Sequence, residues 1–390
     1  MTIISFCCLI SSGFSQNRSI IFNQGSWEEI LSKAEKENKM IFLDAYASWC
    51  RPCKWIETNV FTKDSVADFY NDKFINVKID MEKGEGIELK KKYGVKAYPT
   101  LFYINNKGEV EHRACGALQV NEFLKTGNIA LDPEERLSKT ITDYNEGNRN
   151  FDFIKSYLQK LAEACMDASE VASGYLKTQQ EKNLFSENNW KIIYQFIEDS
   201  KSTEFYFLLT NRNEFALMYG RDSVNQKISK VYFNDLSSLI RDKNFDKKAY
   251  EGKKKEIKAS GYEKAKEIIF KADLLNYSHK QDWKNYGSLA SQGVDKYISG
   301  DYIELNKVAW AIYENVEDKK LLAKAETWAE RSVNLQNNSF NYDTYAALLF
   351  KSGKKKEAIA AEEKAIEIAR KNGEPTEEYE KTLNKFKGEM

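Results

Sequence analysis

The sequence has no excess of charge of either sign. Its 59 Lys and Arg balance 59 Asp and Glu, which excludes the one-sided basic footprint of a nucleic-acid-binding chain. Lysine runs such as Lys90-Lys91-Lys92 and Lys354-Lys355-Lys356 lie among acidic neighbours and read as solvated helix faces. It also lacks any apolar run near the 20 or so residues that span a bilayer. Cysteine is scarce, with six in 390 residues, too few for a disulfide framework in a chain this long. Proline is scarcer still at four, and after Pro133 only Pro375 interrupts the chain.

What is present is an ordinary soluble composition, 42% hydrophobic and 30% charged. At 390 residues it exceeds what one hydrophobic core usually holds, so two domains are expected. "MTIISFCCLISSGFSQ" is a short apolar stretch closed by small and polar residues. It reads as a secretory signal over 1–16, placing the mature chain in the periplasm or cell envelope, with the cytoplasm as the alternative. Four cysteines then remain: Cys50, Cys53, Cys115 and Cys165.

From 20 to about 129 the pattern alternates strands and helices, β-α-β-α-α-β-α-β-β-α, which predicts a mixed sheet with helices on both faces. "SIIF" (19–22) is expected as a short first strand, and Ser26 with Glu29 forms a capping box opening a helix to about 38. "MIFLDAY" (40–46) is a near-continuous apolar run, as a buried central strand requires. "FINVKID" (74–80) is another strand and 86–93 a short helix. "TLFYIN" (100–105), a turn at 106–108 and "EVEHRA" (109–114) make a hairpin. A last helix covers 120–126.

Near 131 the character changes to continual helical periodicity. "NYDTYAALLFKSGKKKEAIAAEEKAIEIA" (341–369) reads as helix, glycine turn, helix. Ala325 and Ser332 stand one 33-residue period before Ala358 and Ala365. The pattern resembles tetratricopeptide repeats near 305–372, with Glu362 where an aromatic residue is usual and Arg370 where proline is usual. The expected layout is a leader (1–16), an α/β domain (17–130) and an all-α domain of helical hairpins (131–390).

The chemistry-bearing stretch is "ASWCRPCKW" (47–55). A C-x-x-C opening a helix suits thiol–disulfide exchange, because N-terminal N–H groups and the helix dipole stabilise a thiolate on the first cysteine. The second lies one turn inside. Pro52 stiffens the turn at a helix position that tolerates it, and Arg51 adds positive charge. Zinc is the competitor, with His112 and Cys115 completing a ligand set. Three apart on a strand, however, their side chains point to opposite faces. Cys115 reads as a small packing residue or as a modulating thiol near the groove, and Cys165 as helix core.

Residues 20 to about 129 resemble the thioredoxin family at four places: "WCRPCK"; Asp44, six residues before Cys50; "YGVKAYPTLFYIN"; and "ACGAL". "NVFTKDSVADFYNDKFINVKID" is similar to the exported or membrane-tethered branch. The resemblance implies an α/β thioredoxin fold and a protein-disulfide oxidoreductase without bound cofactor or metal, its electrons held by Cys50 and Cys53. It implies that Asp44 assists proton transfer from Cys53 and that Pro99, a cis-proline, faces the disulfide. It further implies that Trp49, Arg51, Pro52, Tyr98 and Gly116 border the substrate groove. Where the family often carries a lysine beside the buried acid this sequence has Asn76, so proton transfer is expected to rest on Asp44 alone or on water. Expected partners are a disulfide-containing protein, a thiol electron donor or acceptor, and a peptide or protein on the helical domain. The competing class is an interaction or scaffold module whose redox site is secondary.

Overall fold

A computed structural model describes residues 18–388; the expected leader lies outside the described residues. The chain divides into two compact units, one ending at Phe196 and the other beginning at Ile197. The composition change near 131 therefore falls inside the first unit.

In that unit, α1 (Trp27–Glu37) starts at the Ser26–Glu29 capping box and stops at Asn38, whose φ of 50° is left-handed. It leads into β1 (Met40–Tyr46). α2 (Arg51–Asn59) and α3 (Asp64–Lys73) precede β2 (Phe74–Asp80). α4 (Gly86–Lys92) precedes the hairpin of β3 (Thr100–Ile104) and β4 (Val110–Cys115), and α5 (Val120–Leu131) follows. The sheet order is β2-β1-β3-β4. β1 and β2 are parallel, and β3 is antiparallel to both of its neighbours.

The expected strand at 19–22 does not form. Residues 18–24 are irregular, tied down by Ile20 N–H donating to Phe61 O and Asn23 N–H donating to Asn76 O, at 2.9 and 2.8 Å. Ile20 is buried while Ile21 is exposed. The period-2 alternation is real, but too few backbone bonds reach β2 for a ladder.

Because side chains alternate along a strand, β1 feeds two cores. Ile41, Leu43 and Ala45 pack with Trp27, Ile30, Ile75, Val77 and Phe102 on one face. Phe42 packs with Ile56, Phe61, Tyr70, Tyr103 and Phe123 on the other. There Tyr70 stacks on Phe123 with ring centroids 4.2 Å apart, and its hydroxyl lies 2.6 Å from that of Tyr103. Asp44 shares the face of Phe42, the side covered by α2.

The unit continues through α6 (Leu137–Asn145), α7 (Phe151–Glu163), α8 (Ser169–Leu176) and α9 (Glu187–Phe196). α6 is fastened to β4. Leu137 N–H donates to His112 Nδ1 at 3.2 Å, and Arg136 pairs with Glu111 at 3.4 Å. The edge strand is thus engaged by the chain that follows it.

The second unit is helical among the described residues: α10 (Thr203–Thr210), α11 (Arg212–Tyr219), α12 (Arg221–Arg241), α13 (Lys247–Ala259), α14 (Ala265–His279), α15 (Trp283–Tyr297), α16 (Tyr302–Asn315), α17 (Lys319–Leu335), α18 (Ser339–Lys351), α19 (Lys355–Asn372) and α20 (Glu377–Lys387). Ala325, Ser332, Ala358 and Ala365 are all fully buried, small residues where helices approach closely. Among the described residues no helix is long and apolar enough to cross a membrane.

Candidate active site

β1 ends at Tyr46, and the chain turns through Ala47–Trp49 into α2. Cys50 is the N-cap of α2, its Sγ accepting from Cys53 N–H at 3.1 Å. That is the position where a helix offers its unpaired N–H groups to a negative atom. Pro52 sits in the first turn, where its missing N–H costs no helical bond. Cys50 and Cys53 form a disulfide with Cα atoms 5.3 Å apart. Both are buried and pack with Ala47, Tyr46 and Tyr98. Arg51 and Pro52 face solvent.

Trp49 is 66% exposed and meets Tyr98 edge-on at 5.9 Å. The Tyr98–Pro99 bond is cis. Gly116 follows β4 with φ 87°, a conformation suited to glycine, and donates its N–H to Pro99 O at 2.9 Å. The cysteine pair, Trp49, Tyr98, Pro99 and Gly116, far apart in sequence, are therefore linked by contacts or hydrogen bonds.

Asp44 is fully buried, and neither carboxyl oxygen has a hydrogen-bond partner. Burial pushes its pKa up to about 7, against a downward pull from Lys78 and a smaller upward push from Glu57. The expectation of an acid without a lysine beside it is corrected here. Asn76 stands opposite Phe42, while Lys78 stands opposite Asp44. Lys78 Nζ reaches Glu57 at 2.5 Å and lies 4.6 Å from the Tyr46 ring centroid. The Asn76 amide instead donates to Tyr70 O at 3.2 Å.

Glu82, not singled out from sequence, joins the two aromatic residues. It accepts from Trp49 Nε1 at 2.7 Å and from the Tyr98 hydroxyl at 3.3 Å, and Lys90 lies 3.5 Å away. The Trp49 bond, with Lys90 nearby, holds its pKa below the ordinary carboxylate value. Its only signal in the sequence is its place just after the acid that closes β2.

Cys115 and Cys165 depart from the packing and core roles expected of them: they form a second disulfide with Cα atoms 5.8 Å apart. His112 is buried with Nδ1 engaged by Leu137, and burial lowers its pKa to about 4. Among the described residues no group of His, Cys, Asp and Glu is placed to hold a metal ion.

The family model described as thioredoxin-like matches residues 22–106. Thioredoxin H4 of Arabidopsis thaliana is 35% identical over 91 residues, 23% of this chain and 71% of that protein. Chloroplastic thioredoxin Y of Oryza sativa subsp. japonica is 36% identical over 107 residues, 27% of this chain and 58% of the relative. With Drosophila yakuba thioredoxin-1 matched over 61% of its length, the chain spans about three fifths of these two relatives. A Bacteroides thetaiotaomicron protein described as a disulphide-isomerase is 47% identical over 98% of its own length and 30% of this chain, with a TM-score of 0.29. By the family model and the match to thioredoxin H4, the chain belongs to the thioredoxin-like family.

Proposed function

We propose that this protein is a thiol–disulfide oxidoreductase that exchanges electrons with partner proteins through Cys50 and Cys53. The observation that carries the reading is Cys50 at the N-cap of α2, its sulfur already accepting an N–H bond, on the same side of the sheet as a buried, unpaired Asp44. In the reduced protein Cys50, as thiolate, attacks a partner disulfide. One partner sulfur leaves as thiolate and takes a proton, and a mixed disulfide remains. Asp44 accepts the Cys53 proton, and the Cys53 thiolate attacks Cys50 Sγ, releasing the second partner sulfur. Two electrons have passed to the partner, and the Cys50–Cys53 bond has formed. A thiol donor restores the dithiol; no further cofactor is needed.

Trp49, Tyr98 and Gly116 supply the surface against which the partner lies, with Pro99 buried next to Tyr98 and Arg51 and Pro52 at the rim. The helical region, with its repeat-like end, recruits the partner, and the apolar leader directs the chain to the periplasm or envelope. The test is a pair of variants. Cys53→Ser accumulates a mixed disulfide with substrate, whereas Cys50→Ser accumulates none and fails to reduce insulin. Insulin reduction by Cys50→Ser at the parent rate would overturn the assignment.

A further inference from the structure

We propose that Cys115–Cys165 is a second thiol–disulfide exchange site, whose substrate is a protein dithiol and whose electrophilic atom is Cys165 Sγ. This goes beyond the Cys50–Cys53 reading and does not rest on it.

Three observations converge. The first is access: Cys165 lies at the surface and Cys115 is half-buried. A thiolate must reach a disulfide sulfur to open it, and exposed disulfides are the exchange-labile ones. The second is the backbone. Cys165 follows α7 at φ 50°, the left-handed cap position that glycine ordinarily takes and that a residue with a Cβ occupies at a cost.

The third is that the corner is held without the bond. Cys165 N–H donates to Ala162 O and Met166 N–H to Leu161 O, at 3.0 and 2.8 Å, closing α7. Leu161 and Ala164 are buried, and α6 is fastened to β4 through His112 and Glu111. The corner therefore keeps its backbone bonds, its core contacts and its tie to β4 when the disulfide opens. Beside Cys115 lies a cleft of about 300 Å³, lined among others by Leu118, Glu122, Lys125, Ile129 and Glu163, which gives an incoming chain a place to rest.

The step balances. A partner thiolate attacks Cys165 Sγ, the Cys115–Cys165 bond breaks, and Cys115 leaves as a thiolate that takes a proton from solvent. The partner's second thiol, deprotonated, attacks its own sulfur in the mixed disulfide and releases Cys165. Two electrons and two protons have moved from the partner dithiol to the pair, and the partner is left as a disulfide. Opening the bond unties Cys115, whose neighbour Gly116 holds Pro99 O, so the state of this pair reaches the loop bordering the first site.

The full chain carrying Cys7→Ser, Cys8→Ser, Cys50→Ser and Cys53→Ser isolates the second pair, leaving Cys115 and Cys165 as its two cysteines. It is incubated under native conditions with dithiothreitol, or with reduced thioredoxin as the protein-dithiol probe, then alkylated, and peptides bearing Cys115 and Cys165 are weighed. We expect both thiols to appear at dithiothreitol concentrations within about tenfold of those that open Cys50–Cys53 in the parent, with the circular dichroism spectrum unchanged and the bond re-forming with oxidised glutathione. A bond that stays closed until denaturant is added, or whose reduction unfolds the unit, would overturn the proposal. In the same background, the lone Cys165 of Cys115→Ala should react with an aromatic disulfide reagent at least tenfold faster than the lone Cys115 of Cys165→Ala. Equal or reversed rates overturn the assignment of Cys165 as the attacked sulfur.

Discussion

Asp44 on β1 stands directly opposite Lys78 on β2, yet the Lys78 ammonium is held by Glu57 and by the face of Tyr46. The carboxyl is left buried without a hydrogen bond, and the ammonium acts on it through space. Two opposite shifts follow. Lys78→Met removes a charge that favours the carboxylate, so the pH midpoint of the exchange rate should move upward. Glu57→Gln removes a charge that disfavours it and frees Lys78, so the midpoint should move downward. Each shift should be about half a unit to one unit, the scale of a nearby charge partly screened by solvent. A pH–rate profile of insulin reduction checks both signs, and shifts in the same direction would contradict the arrangement.

The same burial makes Asp44 a stability liability. Its pKa lies near 7 in the folded protein against an ordinary 3.8 in the unfolded chain, so the folded state binds the proton more tightly. The stabilisation is complete below about pH 4 and is lost as pH rises through 7. Asp44→Asn should therefore stabilise the first unit at pH 8 by on the order of 4 kcal/mol, at 1.36 kcal/mol per pKa unit. It should change little at pH 4, while slowing exchange at neutral pH about tenfold or more. Denaturant melts at the two pH values, set beside turnover, measure both halves.

Glu82 ties Trp49 to Tyr98, and its removal should loosen both walls of the proposed groove without touching the cysteines. Glu82→Ala is expected to alter Trp49 fluorescence and to slow protein-disulfide reduction about two- to fivefold, while reduction of a small disulfide changes less. Equal slowing of both substrates would point to an effect on the cysteines instead.

The central strands were legible because they are short apolar runs: Met40–Tyr46 and Phe74–Asp80 fall where the sequence places them. The N-cap position of Cys50 and the cis bond at Pro99 lie where their local motifs indicate. What the sequence could not show was what tertiary register decides. Lys78, not Asn76, comes opposite Asp44, and the stagger of two parallel strands that puts it there cannot be counted along one chain. The Cys115–Cys165 pairing joins residues 50 apart, and no spacing rule connects a strand end to a helix cap. "SIIF" alternates like a strand, but local pattern supplies no neighbour to pair with.

Glu362 is the place in the second unit where the repeat pattern expects an aromatic residue. α19 carries its carboxyl, wholly buried, towards Asp343 of α18. Burial is the main cause that raises its pKa far above the ordinary range, with repulsion from Asp343 adding to it. A raised carboxyl pKa means that folding favours the protonated acid, so its contribution is fully present below the unfolded value of 4.5 and is lost as pH climbs toward the folded value. The second unit should thus lose stability between about pH 5 and 9. Glu362→Gln keeps the shape and removes this carboxyl's titration, leaving that of Asp343, which burial raises to about 6. At pH 8 it should stabilise the full chain by at most about 5 kcal/mol, at 1.36 kcal/mol for each pH unit above the unfolded value, and at pH 5 it should do little. Glu362→Phe should also flatten the pH dependence above pH 7, since it removes the same carboxyl. Thermal melts of the parent and both variants across this range decide the matter: a parent melting temperature that does not fall with rising pH would mean that the carboxyl ionises without cost and is not buried as described.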